Sequence, residues 1–287
     1  MAQVMNEAIY SKESTKKLDL ISLHRHLADD NSFFREVKRF GRRKSIETLS
    51  LDLFDTIVLR NSRPELERFY QVSIAQALRL GIDISANSVF LARSLAHSYA
   101  YKNIYIASKK IKTEPTDIDI ISTMLSMLGQ PKATSDTIKT LIQCELDWAI
   151  SDSEPSPLIP RIIEALNPDN IIILSDMYLS ANAMTNLLNN FVPQISPDIK
   201  AIFSSAYMQK SKRKGDMYKE AFSRLGIEPK KALHIGDNIF SDYIQAKKNN
   251  INSICIPIPH EELRARNASF NTIVNKFPLL KSTTFTA

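Results

Sequence analysis

Apolar positions along this chain follow two rhythms. Five short runs, IETLSL (46–51), IIILS (171–175), KAIFSS (200–205), ALHIG (232–236) and NSICIPI (252–258), are rich in Ile and Leu and do not alternate strictly. Buried parallel strands read this way, because both of their faces are covered. Helical patterns separate the last four: ANAMTNLLNNF, GDMYKEAFSRLG and SDYIQAKKNN. Each is long enough to cross a sheet and return. The alternation predicts an α/β fold with a doubly wound, parallel, five-stranded sheet.

The second rhythm lies between the first two strands. ELERFYQVSIAQALRLG, SVFLARSLAHSYAYKNIYIA, DIDIISTMLSMLG and TSDTIKTLIQCELDWAI repeat their apolar residues at helical spacing, two of them closing on Gly81 and Gly129. Nearly a hundred residues without a strand are too many for a loop, so a separate helical unit is expected. SDSEPSPLIP, with three prolines, reads as the linker back to the sheet. The expected division is an N-terminal helical extension (1–45), a core (46–63 and 161–275), a helical unit (64–160) and a loosely fixed tail (276–287). Within the extension, NSFFREVKRF is expected to be a helix that stops at Gly41.

Composition narrows the class. With 287 residues, 44% of them hydrophobic, the chain can bury a sizeable core. No apolar run is long enough to span a membrane, and MAQVMNEAIYSKESTKK lacks the apolar stretch of a secretory signal. Cys144 and Cys255 are far apart and read as buried free thiols suited to a reducing cytoplasm. The net charge of +6 has two local sources: Arg35, Lys38, Arg39, Arg42, Arg43 and Lys44, and then Lys210, Lys212, Arg213 and Lys214. The first cluster suits a solvated helix face, and a nucleic-acid partner has no recognised binding motif to support it.

In an open parallel sheet, chemistry gathers at the carboxyl ends of the strands. Asp52, Phe54, Asp55 and Thr56 follow the first strand, Ser175 and Asp176 the second, Lys212 the third, and Asp237 and Asp242 the fourth. Any one of these acids or hydroxyls could be an ordinary turn or cap residue. Their placement at successive strand ends is the signal. Carboxylates from the first and fourth strands suit Mg²⁺, a hard cation that takes oxygen ligands. Asp52 is then placed to attack a phosphoryl group, with Ser175 donating to its oxygens and Lys212 supplying positive charge.

SLDLFDTIVLR, IIILSDMYLS, KRKGDMYKEAFSRLGI and LHIGDNIFSDYIQA stand in this order. Together they resemble the four motifs of the haloacid dehalogenase-like superfamily, over roughly residues 46–262. The wording of SLDLFDT with SDMYLS is similar to a subgroup of predicted hydrolases within it. The resemblance implies a Rossmann-like core, a helical cap inserted after the first strand that closes over the cleft, and Mg²⁺-dependent phosphatase activity through Asp52 on a phosphorylated small molecule. It selects Lys212 among Lys210, Lys212 and Lys214, because the family's lysine stands about six residues before an aromatic, here Tyr218. It implies metal ligation by Asp52, the backbone carbonyl of Phe54, Asp237 and Asp242. Thr56 and Asp176 are expected substrate contacts, and Arg60, in the loop leaving the site, is either a substrate contact or a surface residue.

One position departs from the family pattern. Phosphatases of the superfamily carry a second aspartate two residues after the nucleophile, as general acid and base. Phe54 stands there, and Asp55 is either its substitute or a turn residue. Carbon–halogen cleavage needs no such acid, but Asp237 and Asp242 speak against it. An acyl phosphate or anhydride, whose leaving group needs little protonation, fits. A binding or regulatory module with little or no turnover, holding a phospholigand or nucleic acid, is the alternative. His234, inside a strand, reads as a core histidine. Arg93, Lys102 and Glu145 are candidates to face the cleft from the helical unit.

Overall fold

The computed structural model describes residues 18–81, 83–107 and 114–282. In chain order the principal elements are α1 (Leu20–Asp29), α2 (Asn31–Lys44), β1 (Thr48–Leu51), β2 (Val58–Arg60), α3 (Glu65–Leu80), α4 (Ala86–Ala107), α5 (Asp117–Met127) and α6 (Ser135–Asp152). They continue with β3 (Ser153–Pro155), α7 (Leu158–Leu166), β4 (Asn170–Ser175), α8 (Ala181–Phe191), β5 (Ile199–Ser204), α9 (Asp216–Leu225), β6 (Ala232–Gly236), β7 (Asn252–Cys255) and α10 (His260–Lys276). The chain forms two compact units. One comprises the residues up to Asn61 with Ser153–Met177 and Ala181–Glu262; the other comprises Ser62–Asp152, Tyr178–Ser180 and the residues from Leu263.

The first unit is built on a five-stranded sheet in the order β5-β4-β1-β6-β7, parallel throughout. The chain fills one half from β1 outward to β5, then returns to fill the other from β6 to β7. The strand order therefore reverses at β1, and its carboxyl end opens on the crevice where such sheets bind ligands. Apolar side chains cover the sheet because the strands have no polar face to offer. Ile172 and Leu174 of β4 pack with Met217, Tyr218, Ala221 and Phe222 of α9. Each large side chain buried in this way contributes about 1.5–3 kcal/mol.

A two-stranded antiparallel ribbon joins β2 to β3, pairing Val58 with Pro155 and Arg60 with Ser153. It clasps the chain where it leaves the core after β1 and where it re-enters. Three residues of the expected Pro-rich linker, Ser153–Pro155, are thus strand, and LIPRIIEAL continues as α7. Pro160 lies in the first turn of that helix, where its missing N–H has no partner to lose.

The helix expected to stop at Gly41 runs on to Lys44 and ends at Ser45, which has φ 49°. Gly41 is there for closeness: a Cβ on it would lie 2.6 Å from Leu166 Cδ2. Its neighbours Phe33, Val37 and Phe40 are buried with it.

The second unit is helical, as expected, but its limits differ. Leu66, Phe69 and Phe90 form its core with Ile273 and Leu280, flanked by Phe270 and Phe277. The chain from Leu263 onward therefore packs with α3 and α4, where the sequence reading extended the core to 275. The residues expected as a loose tail form a 3-10 turn at Pro278–Ser282 that buries Leu280, so an apolar anchor fixes them. Residues 283–287 of that tail and residues 1–17 of the N-terminal extension lie outside the described residues. No helix among the described residues is long and apolar enough to cross a membrane. Cys144 and Cys255 are buried free thiols, as expected.

Candidate active site

Asp52 is the first residue beyond β1, and its N–H donates to the Ile235 carbonyl of β6 at 2.9 Å. Backbone pairing thus fixes where its carboxylate starts. Lys212 Nζ reaches Asp52 Oδ1 and Asp242 Oδ1, each at 2.6 Å, and is only 2% exposed. Asp237 completes the group: carboxylate oxygens of Asp52, Asp237 and Asp242 all lie within 4.8 Å of one another. Four of the residues singled out from the sequence are therefore together.

The lysine is held by a braced loop. Asp176 accepts from the backbone N–H groups of Lys212 (2.7 Å) and Arg213 (3.1 Å). Asp216 accepts from the Ser211 N–H at 2.8 Å, and Gly215, at φ 79°, turns the chain into α9. Asp176, expected as a substrate contact, thus has both carboxylate oxygens engaged in shaping the lysine loop.

Asp242 is fixed on every side. His234 Nε2 lies 3.2 Å from its Oδ1, and the Asn238 N–H donates to its Oδ2 at 3.0 Å. Its approach to the end of β6 depends on Gly236, where a Cβ would collide with the carboxylate. On its other ring nitrogen, His234 Nδ1 lies 2.9 Å from Ser50 Oγ. Ser50 and His234 are cross-strand partners on β1 and β6. An ionised carboxylate only accepts, so Nε2 carries the hydrogen and Ser50 donates to Nδ1. The visible signal is a polar residue flanked by apolar ones in each of two buried strands, Ser50 between Leu49 and Leu51 and His234 between Leu233 and Ile235.

Electrostatics follow from burying several acids with one cation. Burial pushes Asp52 up to about 6, against the pull of Lys212. Burial pushes Asp242 up as well, but Lys212 and His234 outweigh it and hold it well below the ordinary carboxylate range. Asp237 is driven well above that range by burial and then by the charges of Asp242, Asp52 and Asp55. Burial lowers Lys212, yet Asp242 and Asp52 more than offset it, so the ammonium stays charged. Three carboxylates around one lysine leave an excess of negative charge, and no donor among the described residues bonds to the Asp237 carboxylate. A hard cation with oxygen preference, such as Mg²⁺, fits this donor set.

The loop after Asp52 is self-contained. Asp55 has φ 58°, and its N–H donates to the Val58 carbonyl at 2.7 Å. Its carboxylate meets Arg60 in a fork: Nε to Oδ1 at 3.1 Å, Nη2 to Oδ2 at 2.6 Å, with the Arg60 N–H to Oδ1 at 3.2 Å. The sequence offers Asp55 as a substitute acid or a turn residue and Arg60 as a separate contact; the tight turn brings the two face to face. Arg60 also lies over the Phe54 ring, 4.9 Å from its centroid. The Thr56 hydroxyl is buried without a hydrogen-bond partner among the described residues. Ser175 stands at the end of β4, two residues past the Leu51–Ile173 pair on the strand beside β1.

Within the helical unit, Arg93 and Glu145 are each other's partners. Arg93 is 1% exposed, donates from Nε to Glu145 Oε1 at 2.5 Å, and stacks 3.9 Å over the Phe69 ring. Tyr178, from the loop after β4, lies with them: Arg93 Nη2 is 3.2 Å from its hydroxyl. Lys102 is exposed.

Residues 46–249 match the family model of the haloacid dehalogenase-like hydrolases. No curated protein matches the chain. Among solved structures, similarity extends to L-2-haloacid dehalogenase from Xanthobacter autotrophicus, at 16% identity and a TM-score of 0.47, covering 78% of this chain and 83% of that one. A HAD family enzyme from Bacteroides thetaiotaomicron, in complex with magnesium and inorganic phosphate, is 15% identical with a TM-score of 0.46, covering 74% and 95%. A HAD-hydrolase from Bacillus subtilis bound to magnesium is 14% identical with a TM-score of 0.43, covering 72% and 85%.

Proposed function

The chain belongs to the haloacid dehalogenase-like hydrolases, and on that footing we propose that it is a Mg²⁺-dependent phosphohydrolase acting on a phosphorylated small molecule through Asp52. The observation that carries this reading is the convergence of the Asp52, Asp237 and Asp242 oxygens within 4.8 Å, with Lys212 Nζ 2.6 Å from two of them. A halide leaving group calls for no such excess of carboxylate.

Asp52 would hold Mg²⁺ together with Asp237, Asp242 and the Phe54 carbonyl, and the ion supplies charge neutralisation that lets an anionic carboxylate approach an anionic phosphoryl group. An Asp52 oxygen attacks phosphorus in line. The bond to the leaving oxygen breaks, and an aspartyl-phosphate forms. Lys212, kept charged by Asp242, stabilises the negative charge spread over the phosphoryl oxygens. Ser175 donates a hydrogen bond to one of them. Water then attacks the aspartyl-phosphate, releasing inorganic phosphate and regenerating Asp52.

The leaving oxygen has no proton donor at position 54, and Asp55 is tied to Arg60 in a two-pronged ion pair. The substrate class that suits this site is therefore one whose leaving group departs as a stable anion, an acyl phosphate or a phosphoanhydride. The test is phosphate release from p-nitrophenyl phosphate and acetyl phosphate, with and without Mg²⁺, by wild type and Asp52→Asn. Release that needs both the metal and Asp52 is expected. Full activity in Asp52→Asn would sink the reading.

A further inference from the structure

Much of the net positive charge of this protein is gathered on one helix. Asn31–Lys44 holds six cations (Arg35, Lys38, Arg39, Arg42, Arg43 and Lys44) against a single acid, Glu36, so it carries five of the six net positive charges. Arg35, Lys38, Arg39, Arg42 and Arg43 repeat at intervals of three, four, seven and eight residues, the spacing of a single helix face. All five are exposed. The opposite face, Phe33, Val37, Phe40 and Gly41, is buried, so the stripe is presented by a fixed element.

Little of this charge is neutralised locally. Arg39 faces Glu36 at 3.6 Å, an exposed pair of small worth. Arg35, Lys38, Arg42 and Arg43 meet no acid among the described residues. The stripe also lies away from the chemistry: α2 leads into the amino end of β1, whereas Asp52 follows its carboxyl end. A substrate phosphate held at Asp52 therefore does not account for these cations.

We propose that this face of α2 binds the phosphate backbone of a nucleic acid, without reading its bases. Four of its five cations are arginines, whose planar guanidinium groups meet phosphate oxygens in a fork. The stripe runs over nine residues, eight helical steps or about 12 Å of helix, which matches three to four phosphates of one strand at about 3.4 Å of axis each. An anionic membrane is the poorer occupant. No large apolar side chain of the described residues up to Asn61 is exposed beside the cations to enter a lipid interface.

The test is fluorescence anisotropy of the full chain with a labelled mixed-sequence RNA, and with the corresponding DNA duplex, across a salt series. Affinity should fall linearly in log–log form between about 50 and 200 mM salt, with a slope of about −0.7 to −0.9 for each phosphate contacted. Replacing Arg35, Lys38, Arg39 and Arg42 together by Gln should weaken binding at least tenfold and flatten the slope. Circular dichroism must show that the helix is retained. Lys210→Gln with Lys214→Gln, in the other basic cluster, should leave binding within twofold. Asp52→Asn should bind as wild type, which separates this proposal from the hydrolytic one. Absence of binding at low salt, or equal binding by the four-Gln variant, would overturn it. So would preferential binding to polyglutamate or to phosphatidylserine vesicles, the signatures of an acidic protein or a membrane.

Discussion

His234 Nε2 stands 3.2 Å from the same Asp242 oxygen that Lys212 grips at 2.6 Å. The histidine, neutral because burial lowers its pKa, donates to the carboxylate from one side while the ammonium holds it from the other. His234 is thus placed to set the direction in which Asp242 presents Lys212 to Asp52. Removing the donor with His234→Leu should lower kcat by about 10–100-fold, the usual penalty for losing a residue that orients a metal-site ligand. His234→Gln, which can still donate, should recover part of the loss. Steady-state kinetics on both variants, beside their melting temperatures, separate orientation from folding: equal losses in Leu and Gln would mean that the ring matters only for packing.

Phe54 makes a prediction about leaving groups. Wild type should favour acetyl phosphate strongly over an alkyl phosphate such as glycerol phosphate. Phe54→Asp, which restores a proton donor at that position, should narrow the ratio of kcat/KM values by about 10²-fold, the lower end of what general acid catalysis contributes. An unchanged ratio would show that the leaving oxygen is protonated from elsewhere.

Asp237 should be required for metal binding in its own right, apart from turnover. Mg²⁺ that binds only the folded chain should raise the melting temperature as its concentration increases. Asp237→Asn should abolish that rise without lowering the melting temperature measured in EDTA, because it removes one of several mutually repelling carboxylates. A Mg²⁺ response that survives the substitution would remove Asp237 from the ligand set.

His24 gives a pH dependence of stability. Its ring is fully buried, Nδ1 lies 2.8 Å from Ser156 Oγ, and Nε2 has no partner among the described residues. Burial lowers its pKa to about 4, against an opposing pull from Asp55. In the unfolded chain it titrates near 6.5, so between these values the unfolded state binds the extra proton. The contribution is complete above pH 6.5 and is lost as pH falls toward 4. It amounts to about 3 kcal/mol for a shift of this size. Urea denaturation at pH 7.5 and 5.0 should show a smaller pH effect in His24→Gln than in wild type. Identical pH effects would mean that His24 is not buried as a neutral ring.

The sheet was legible because buried parallel strands are continuous apolar runs, and all five were found close to their true limits. The residues gathered at Asp52 were legible for a related reason: in such a sheet, position after a strand fixes position in space. What escaped the reading depended on contacts distant in sequence. Gly41 looks like a helix stop until Leu166 is seen against it. Asp55 and Arg60 carry no mark in sequence of being each other's partner. Asp176 looks like a site acid, but the N–H groups it holds belong to residues 212 and 213. Leu280 lies in a polar tail, and its burial depends on Leu66, Phe69 and Phe90 far upstream.

The division of the chain also bears on how such proteins can be rebuilt. The backbone passes between the two units five times, because Tyr178–Ser180 and everything from Leu263 belong with the helices inserted after β2. Ser180 donates to Asp117 at 3.1 Å, and Asp117 in turn donates to the Tyr178 carbonyl at 3.0 Å. Splicing out Ser62–Asp152 alone would strand Tyr178 without Arg93 and Glu145, and would bare the apolar side of α10. An exchange of helical units between relatives must therefore carry three separate pieces of sequence, which makes this insertion a poor evolutionary cassette and a demanding one for design.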